Sequence, residues 1–299
     1  MVALGSLAIR WWRRRLEAVL QRYPPISRLE TDPVSVPRAA LRAGRTRSEV
    51  EALALFSALL AHGSARQFMA ILRRIADAGD HALSRLLHAP PPGWQWPAYR
   101  FARGADLCAL ARAIVRVAER PGGLEGAFLD GRRRGETVWE GVDALRRALI
   151  EPVPSSAMTA GLRHLLPAAG PSAAKRWMLF LRWMVRSDDG VDMGLWTGIP
   201  PSALIVPLDR HLLAFARDFG WTRRRAPDRR AAEEVTAVLR QFDAQDPLRY
   251  DFALCHLGIS GRCRHRRDRR LCRTCSLRKG CKKGAPRVTL GFPDSLPFK

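Results

Sequence analysis

The apolar residues of this chain recur mainly at the three- and four-residue spacing that places them on one face of an α-helix. The pattern is clearest in residues 48–60 and 138–150, and Pro or Gly residues separate many of the segments that show it. No long stretch alternates apolar and polar residues as a half-buried strand would. The sequence therefore predicts an all-α protein, with Ser48 as the N-cap of the helix that ends near Leu60.

The chain also carries a large excess of positive charge. Its 51 Lys and Arg residues outnumber its 28 Asp and Glu residues, which gives a formal net charge of +23. Solubility does not require so large an excess, and a polyanionic partner would be bound through phosphate neutralisation and counterion release. A GC-rich genome would favour Arg over Lys, but it would not explain the excess of basic over acidic residues. Nucleic acid is therefore the expected partner.

Neither a secretory signal nor a membrane span is predicted. Residues 1–9 are mildly apolar, but the basic residues follow this segment instead of preceding it. No apolar run approaches the ~20 residues that a membrane-spanning helix needs. We therefore expect a cytoplasmic location, and no feature of the sequence predicts a protein partner.

Four of the six cysteines lie close together near the C-terminus, separated by eight, two and five residues: Cys263, Cys272, Cys275 and Cys281. Four thiolates in a short loop can bind a [4Fe–4S] cluster or a tetrahedral Zn²⁺ ion, and His265 could replace one cysteine around zinc. A metal site suits a reducing compartment better than a disulfide framework does. Cys108 and Cys255 lie in apolar helical segments and are predicted to be packed core thiols.

Residues 166–176 and 207–211 bring together groups that suit chemistry on DNA. A Leu-Pro turn containing Gly170 leads into a predicted helix that begins with small residues and carries Lys175, and Asp209 opens a second helix. A helix N-terminus can bind a phosphate, an amine can act as a nucleophile, and a carboxylate can stabilise positive charge on a sugar. The alternatives are a plain N-cap for Asp209 and a phosphate contact or an exposed position for Lys175.

This stretch resembles the helix-hairpin-helix superfamily of DNA glycosylases and lyases, which includes endonuclease III-like enzymes. The superfamily has a Leu-Pro-Gly-x-Gly turn that grips DNA, followed later by an aspartate in a Val-Asp-Thr-His-like segment. Residues 166–170 match the turn, with Ala168 at its first glycine, and residues 208–211 match the later segment. In this alignment the superfamily's lysine position falls on Ser172, three residues before Lys175.

The wider chain, from about residue 29 to 259, resembles an uncharacterised bacterial family known as domain of unknown function 2400. The segments that carry this likeness are residues 180–186, 189–192, 194–196 and 246–254. In addition, the last three cysteines of the C-terminal loop match the Cys-x-x-Cys-x5-Cys end of the cluster loop in endonuclease III-like proteins, whose first gap is six residues instead of eight. This second resemblance favours [4Fe–4S] over zinc.

Together the resemblances imply a two-lobed helix-hairpin-helix fold with a C-terminal cysteine metal loop. Residues 49–185 would form a helical barrel that includes the hairpin turn, and residues 1–48 would pack with a C-terminal lobe of residues 186–299. Duplex DNA would lie across the cleft between the lobes. The residues expected to contact it are Gly170, Ser172, Arg176, Arg210, His211, His62 and Gln67.

The resemblances further imply a base-excision repair glycosylase, with or without lyase activity at abasic sites. The enzyme would act on a flipped damaged base in duplex DNA, with Asp209 and Lys175 as its catalytic residues, and it would associate with the bacterial nucleoid. Two alternatives stay open at this point. One is a DNA-binding protein of the same fold that lacks the chemistry, and the other is a zinc-stabilised protein that binds or processes RNA.

Overall fold

Helices supply the regular secondary structure in the described part of this chain. The computed structural model describes residues 2–283, apart from the side chain of Arg134. Within that range it contains no β-strand, only two isolated bridges, so the all-α prediction is confirmed. None of the helices in this range has both the length and the apolar character needed to cross a membrane.

The α-helices, in chain order, are α1 (Ser6–Arg22), α2 (Ser35–Arg42), α3 (Arg47–Leu60), α4 (Ala65–Ala78), α5 (Leu83–His88), α6 (Gly104–Ala118), α7 (Gly123–Gly135), α8 (Val138–Ile150), α9 (Ala160–Leu165), α10 (Lys175–Val185), α11 (Arg210–Asp218), α12 (Arg229–Phe242), α13 (Asp251–Ile259) and α14 (Arg269–Arg273). Short 3₁₀ turns cover Pro25–Thr31, Ser155–Ala157, Pro201–Ala203 and Arg278–Gly280. The helix α8 has the predicted bounds.

The start of α3 differs from the prediction. A capping box sets it, in which Thr46 Oγ1 accepts from the Glu49 amide at 3.3 Å and Glu49 Oε2 accepts from the Thr46 amide at 2.9 Å. Ser48 therefore lies inside the helix, and its prediction as the N-cap was wrong. The glutamate that would complete a box with Ser48 is Glu51, which is buried and pairs with Arg47 instead.

The N-terminal helix α1 packs on the C-terminal part of the chain. Trp12 is 1% exposed, and its ring centroid lies 4.7 Å from that of Phe219 and 5.3 Å from that of Trp221. At the surface of the same contact, Glu17 Oε1 lies 3.0 Å from Arg249 Nε. An apolar and an ionic contact together fix the helix against residues more than 200 positions away in the sequence.

A buried ionic network anchors α10. Arg182 Nη1 lies 2.7 Å from Asp251 Oδ1 at the start of α13, and Arg182 Nη2 lies 3.2 Å from Asp192 Oδ2. One turn further along α10, Arg186 pairs with Asp192 and also with Asp246 at 2.8 Å. Burial raises the pKa of Asp251 to about 6, against the opposing effect of the two arginines. The network joins α10 to the loop that follows it and to α13.

We expect Asp192→Asn to destabilise the protein by about 3 kcal/mol, because it leaves two buried guanidinium groups short of a carboxylate. Urea denaturation would measure the loss in the free energy of unfolding. The matched control is Asp130→Asn, which removes an exposed ion pair with Arg133 and should cost less than about 1 kcal/mol. Equal losses in the two variants would show that the buried network does not hold the fold.

Candidate active site

Asp209 is fixed by contacts with two helices. It is the N-cap of α11, and its Oδ1 accepts from the Leu212 amide at 2.8 Å. Its Oδ2 accepts from the thiol of Cys255 on α13, with an Sγ to oxygen distance of 3.1 Å. The residue stays partly exposed. The N-cap role and a chemical role are therefore compatible, since a single oxygen makes the cap.

Sequence reasoning missed Cys255 as a member of this site. Burial raises the pKa of its thiol well above the ordinary value, and the adjacent Asp209 carboxylate raises it further. The sulfur therefore keeps its proton at neutral pH and donates it to the carboxylate. The two residues are 46 positions apart, so no pattern in the sequence indicates this contact, which only the packing of α11 against α13 creates.

Lys175 is the first residue of α10, and its charge acts on the same site. It lowers the pKa values of both His211 and Cys255. Lys175 lies two helical turns before Arg182, on the same face of α10. Because Arg182 is paired with Asp251 at the start of α13, that face is directed toward α13. Within residues 2–283, the Lys175 amine has no hydrogen bond or ion pair.

His211 closes the site between α11 and α13. Burial lowers its pKa, and the charges of Arg210, His265 and Lys175 lower it further, against the effect of Asp209. The opposing position on α13 is Gly258, where an added Cβ would lie 2.7 Å from His211 Nδ1. Only glycine allows this close approach. Arg210 is exposed at the start of α11.

The turn before α10 is built differently from the prediction. The small residues do not begin the helix, because Ala174 has a left-handed backbone with φ of +45° and the helix starts at Lys175. An isolated bridge joins Ser172 to Asp228, and the Ala173 amide donates to the Pro227 carbonyl at 3.3 Å. This pairing keeps the chain extended and delays the helix, so the expectation of a helix that begins with small residues was wrong.

The backbone amides that could donate hydrogen bonds to a phosphate therefore lie after the turn, at the start of α10. The Ser172 amide donates to Ala169 and the Ala174 amide to Ser172 Oγ, each at 3.1 Å. By contrast, the first three amides of α10, from Lys175 to Trp177, have no acceptor among residues 2–283. Gly170, with φ of +42°, and Ser172 are exposed on the loop that leads to these free amides.

The remaining predicted DNA contacts lie elsewhere. Arg176 is next to Lys175 in sequence but donates to the carbonyls of Leu59, at 2.8 Å, and His164, at 2.7 Å. The ring of His62 packs against that of His164, with centroids 4.9 Å apart. Gln67 is exposed in the first turn of α4, and its side chain has no hydrogen bond within residues 2–283. Arg176 and His62 therefore lie together beside His164, whereas Arg210 and His211 lie at the start of α11, and Gln67 belongs to neither group.

The four cysteines of the C-terminal loop line one cavity, together with the apolar side chains of Phe215, Phe219 and Leu277. Burial raises the pKa of Cys263 to about 11, and the nearby sulfurs of Cys281 and Cys275 contribute to the increase. Four thiols in one cavity are the donor set that a metal cation would stabilise as thiolates. Among residues 2–283, however, no three Cys, His, Asp or Glu side chains are gathered closely enough for a single ion.

Asp218 fixes this loop to the end of α11. Its carboxylate lies 3.0 Å from Lys283 Nζ and 3.2 Å from His265 Nδ1, and its backbone carbonyl accepts from the Lys282 amide at 2.8 Å. His265, the alternative zinc ligand, therefore directs Nδ1 toward Asp218, while its Nε2 is buried without a hydrogen-bond partner in the described part of the chain.

A family model described as "Protein of unknown function (DUF2400)" matches residues 32–260, roughly three quarters of the chain. The chain belongs to the DUF2400 family. No curated protein and no solved structure matches it. The part matched by the DUF2400 model includes Lys175, Asp209, His211 and Cys255, so the candidate active site lies wholly within the family region. The four cysteines of the loop lie beyond its end.

The pKa of His62 generates a prediction of pH-dependent stability for this DUF2400 protein. Burial and the charges of Arg176, His164 and Arg100 lower that pKa to about 4. The folded state therefore disfavours protonated His62, and its contribution to stability is present above pH ~6.5 and lost as the pH falls toward 4.

Between pH 7 and pH 5 we expect the wild type to lose about 1 kcal/mol more stability than His62→Gln, after allowance for partial solvent screening. Urea denaturation at the two pH values would measure this difference. The variant His88→Gln removes an exposed histidine at the end of α5 and should keep the pH dependence of the wild type. Identical pH dependence in the wild type and His62→Gln would contradict the prediction.

Proposed function

We propose that this DUF2400 protein is a DNA glycosylase of the helix-hairpin-helix type that acts on a flipped damaged base in duplex DNA. The observation that carries the proposal is the Asp209 carboxylate, which is held by hydrogen bonds to α11 and from α13, with Cys255 beside it under the influence of the Lys175 charge. An amine and an oriented carboxylate are the two groups that cleavage of a glycosidic bond by this route requires.

In the proposed reaction, Asp209 stabilises the positive charge that develops on the sugar as the C1′–N bond breaks. The base leaves with the electron pair of that bond and takes up a proton. In the lyase form, the neutral Lys175 amine bonds to C1′, and the ring oxygen then leaves C1′ as a hydroxyl to give a Schiff base. His211, in the first turn of α11, is a candidate to carry the proton that passes from the attacking amine to the leaving ring oxygen.

The duplex would be bound mainly by the first turn of α10. Its three free amides and the positive end of the helix dipole suit a phosphate, and the exposed Gly170 loop leaves the approach open. Arg210 adds a cation at the neighbouring start of α11. These contacts would position the DNA without selecting its sequence, and the choice of damaged base would depend on the side chains around Asp209.

The C-terminal loop would hold a [4Fe–4S] cluster through Cys263, Cys272, Cys275 and Cys281, with Zn²⁺ as the alternative. Support comes from the shared cavity, its apolar walls and the spacing of the last three cysteines. When bound, the metal would cross-link the loop, and the proposed reaction needs no electron from it. The many Arg and Lys residues of the ordered loop would then face the DNA backbone.

A second candidate function is DNA binding without chemistry. The occupied amides of the turn at Ser172 to Ala174 favour it, because a turn whose own donors are used internally grips DNA less well than the superfamily turn. The position of Lys175 at the start of α10, three residues after the superfamily's lysine position, points the same way. A protein that only binds DNA forms no covalent intermediate and releases no base, so either event would identify the enzyme.

Borohydride trapping on duplex DNA that carries an abasic site tests the amine chemistry. We expect the wild type to form a covalent adduct, Lys175→Ala to form none, and Asp209→Asn to form it at least about a hundredfold more slowly. The control is Lys279→Ala, which removes an exposed lysine of the cysteine loop and should leave the rate of adduct formation unchanged when the DNA is saturated with protein.

If the wild type binds the duplex but forms no adduct, Lys175 is not a Schiff-base nucleophile. Release of a damaged base would then separate a glycosylase that uses water from a protein that only binds DNA. A preference for structured RNA over duplex DNA in the same binding assay would contradict the proposed substrate class.

Metal analysis of the purified protein tests the loop. We expect a brown protein that contains iron and acid-labile sulfide, with both lost in Cys272→Ala and retained in Cys108→Ala, which removes a cysteine of α6 outside the loop. The thermal stability of Cys272→Ala should also fall, because the loop loses its cross-link. A colourless protein with one equivalent of zinc would contradict the cluster and support the alternative metal.

A further inference from the structure

A second group of cations lies at the start of α10, around Arg176. Arg176 is largely buried, and its guanidinium donates only to backbone carbonyls, those of Leu59 and His164. No carboxylate lies within ion-pair distance of it among residues 2–283. Burial lowers its pKa to about 10. A buried guanidinium without a carboxylate is costly, and a bound anion would offset that cost.

Within residues 2–283, the charged side chains that act on His62 and His164, beside Arg176, are positive. Arg100 and Arg176 both lower the pKa values of His62 and His164, and no carboxylate is among the causes of either shift. His62 Nε2 is buried and has no hydrogen-bond partner in the described part of the chain. His164 and Arg100 are exposed, so solvent reaches the group from one side.

The backbone holds Arg100 in place above this group. Tyr99 and Ala102 exchange backbone hydrogen bonds of 2.8 and 2.9 Å, and Arg100 occupies the turn between them with a left-handed φ of +53°. The Tyr99 hydroxyl donates to the His62 carbonyl, which fixes the turn to the junction of α3 and α4. At Gly63 an added Cβ would lie 2.3 Å from Arg100 Nη1, so the arginine lies directly over the glycine.

We propose that Arg100, Arg176 and His164, with His62 behind them, form a binding site for a phosphate group of a nucleic-acid backbone. Arginine and histidine side chains can donate hydrogen bonds to a phosphate. The free backbone amides at the start of α10 add a third kind of hydrogen-bond donor beside them. Because Arg176 follows Lys175 directly, the bound phosphate would flank the nucleotide at Asp209. That placement rests on the proposed function, whereas the phosphate site itself does not.

Titration with inorganic phosphate tests the site without any chemistry on DNA. The imidazole NMR signals of His62 and His164 would be followed at constant ionic strength, with chloride as the reference anion. We expect saturable shifts in the wild type and binding weakened about tenfold or more in Arg100→Gln. The control is Arg163→Gln, which removes an equal, exposed charge next to His164 and should change the affinity less than about twofold.

Shifts no larger than those caused by chloride would overturn the proposal. Equal weakening in the Arg100 and Arg163 variants would also overturn it, because general surface charge would then explain the binding. Arg100 is preferred to Arg176 for substitution because it is exposed, so its loss should leave the fold intact. A circular dichroism melt of each variant would verify this.

Competition identifies the source of the phosphate. An abasic duplex oligonucleotide should displace inorganic phosphate from His164, and Arg100→Gln should reduce the salt dependence of duplex binding by about one phosphate contact. Phosphate binding that the duplex does not displace would overturn the nucleic-acid assignment in favour of a free or small-molecule phosphate. Neither result depends on adduct formation or base release, so failure of the proposed function would be recognised separately.

Discussion

The position of α10 depends on the buried pairing of Arg182 and Arg186 with aspartates from the following loop and from α13. Removing charged groups from water is costly, and only close pairing offsets the cost, so these contacts are possible in a single arrangement of the helices. In that arrangement Arg182 pairs with Asp251 at the start of α13, and the charge of Lys175, two turns earlier on α10, acts on Cys255, one turn later on α13. The candidate active site is therefore a consequence of a core contact.

The cationic side chains at the two ends of α10 differ in their partners. Near its C-terminus the arginines are paired with carboxylates, whereas Lys175 and Arg176 at its N-terminus have no carboxylate partner within residues 2–283. The helix dipole adds positive potential at this end. A chain with a net charge of +23 could distribute its excess anywhere, yet here unpaired cations and free amides lie together at one helix end. That concentration is the strongest structural argument for an anionic ligand.

The sequence allowed the prediction of features that depend on neighbouring residues. The bounds of α8 and the N-cap role of Asp209 could be predicted from neighbouring residues. The all-α class could be predicted from the spacing of apolar residues. Contacts between distant segments could not be predicted. The hydrogen bond from Cys255 to Asp209 depends on the packing of two helices. The bridge between Ser172 and Asp228 holds the residues before α10 in an extended conformation, so the helix begins after the two alanines and not at them. A cap at Thr46 was available in the sequence, because Glu49 follows it at capping-box spacing.

The cysteine loop and the candidate active site are joined through α11. Asp209 caps the start of this helix, and Asp218 at its end binds Lys283, His265 and the amide of Lys282. Phe215 and Phe219, on the same helix and just after it, form walls of the cysteine cavity. An ordered loop would therefore restrain α11 from its far end. The residues of the candidate active site lie within the part of the chain that the family model matches, whereas the four cysteines lie beyond it, and α11 connects the two.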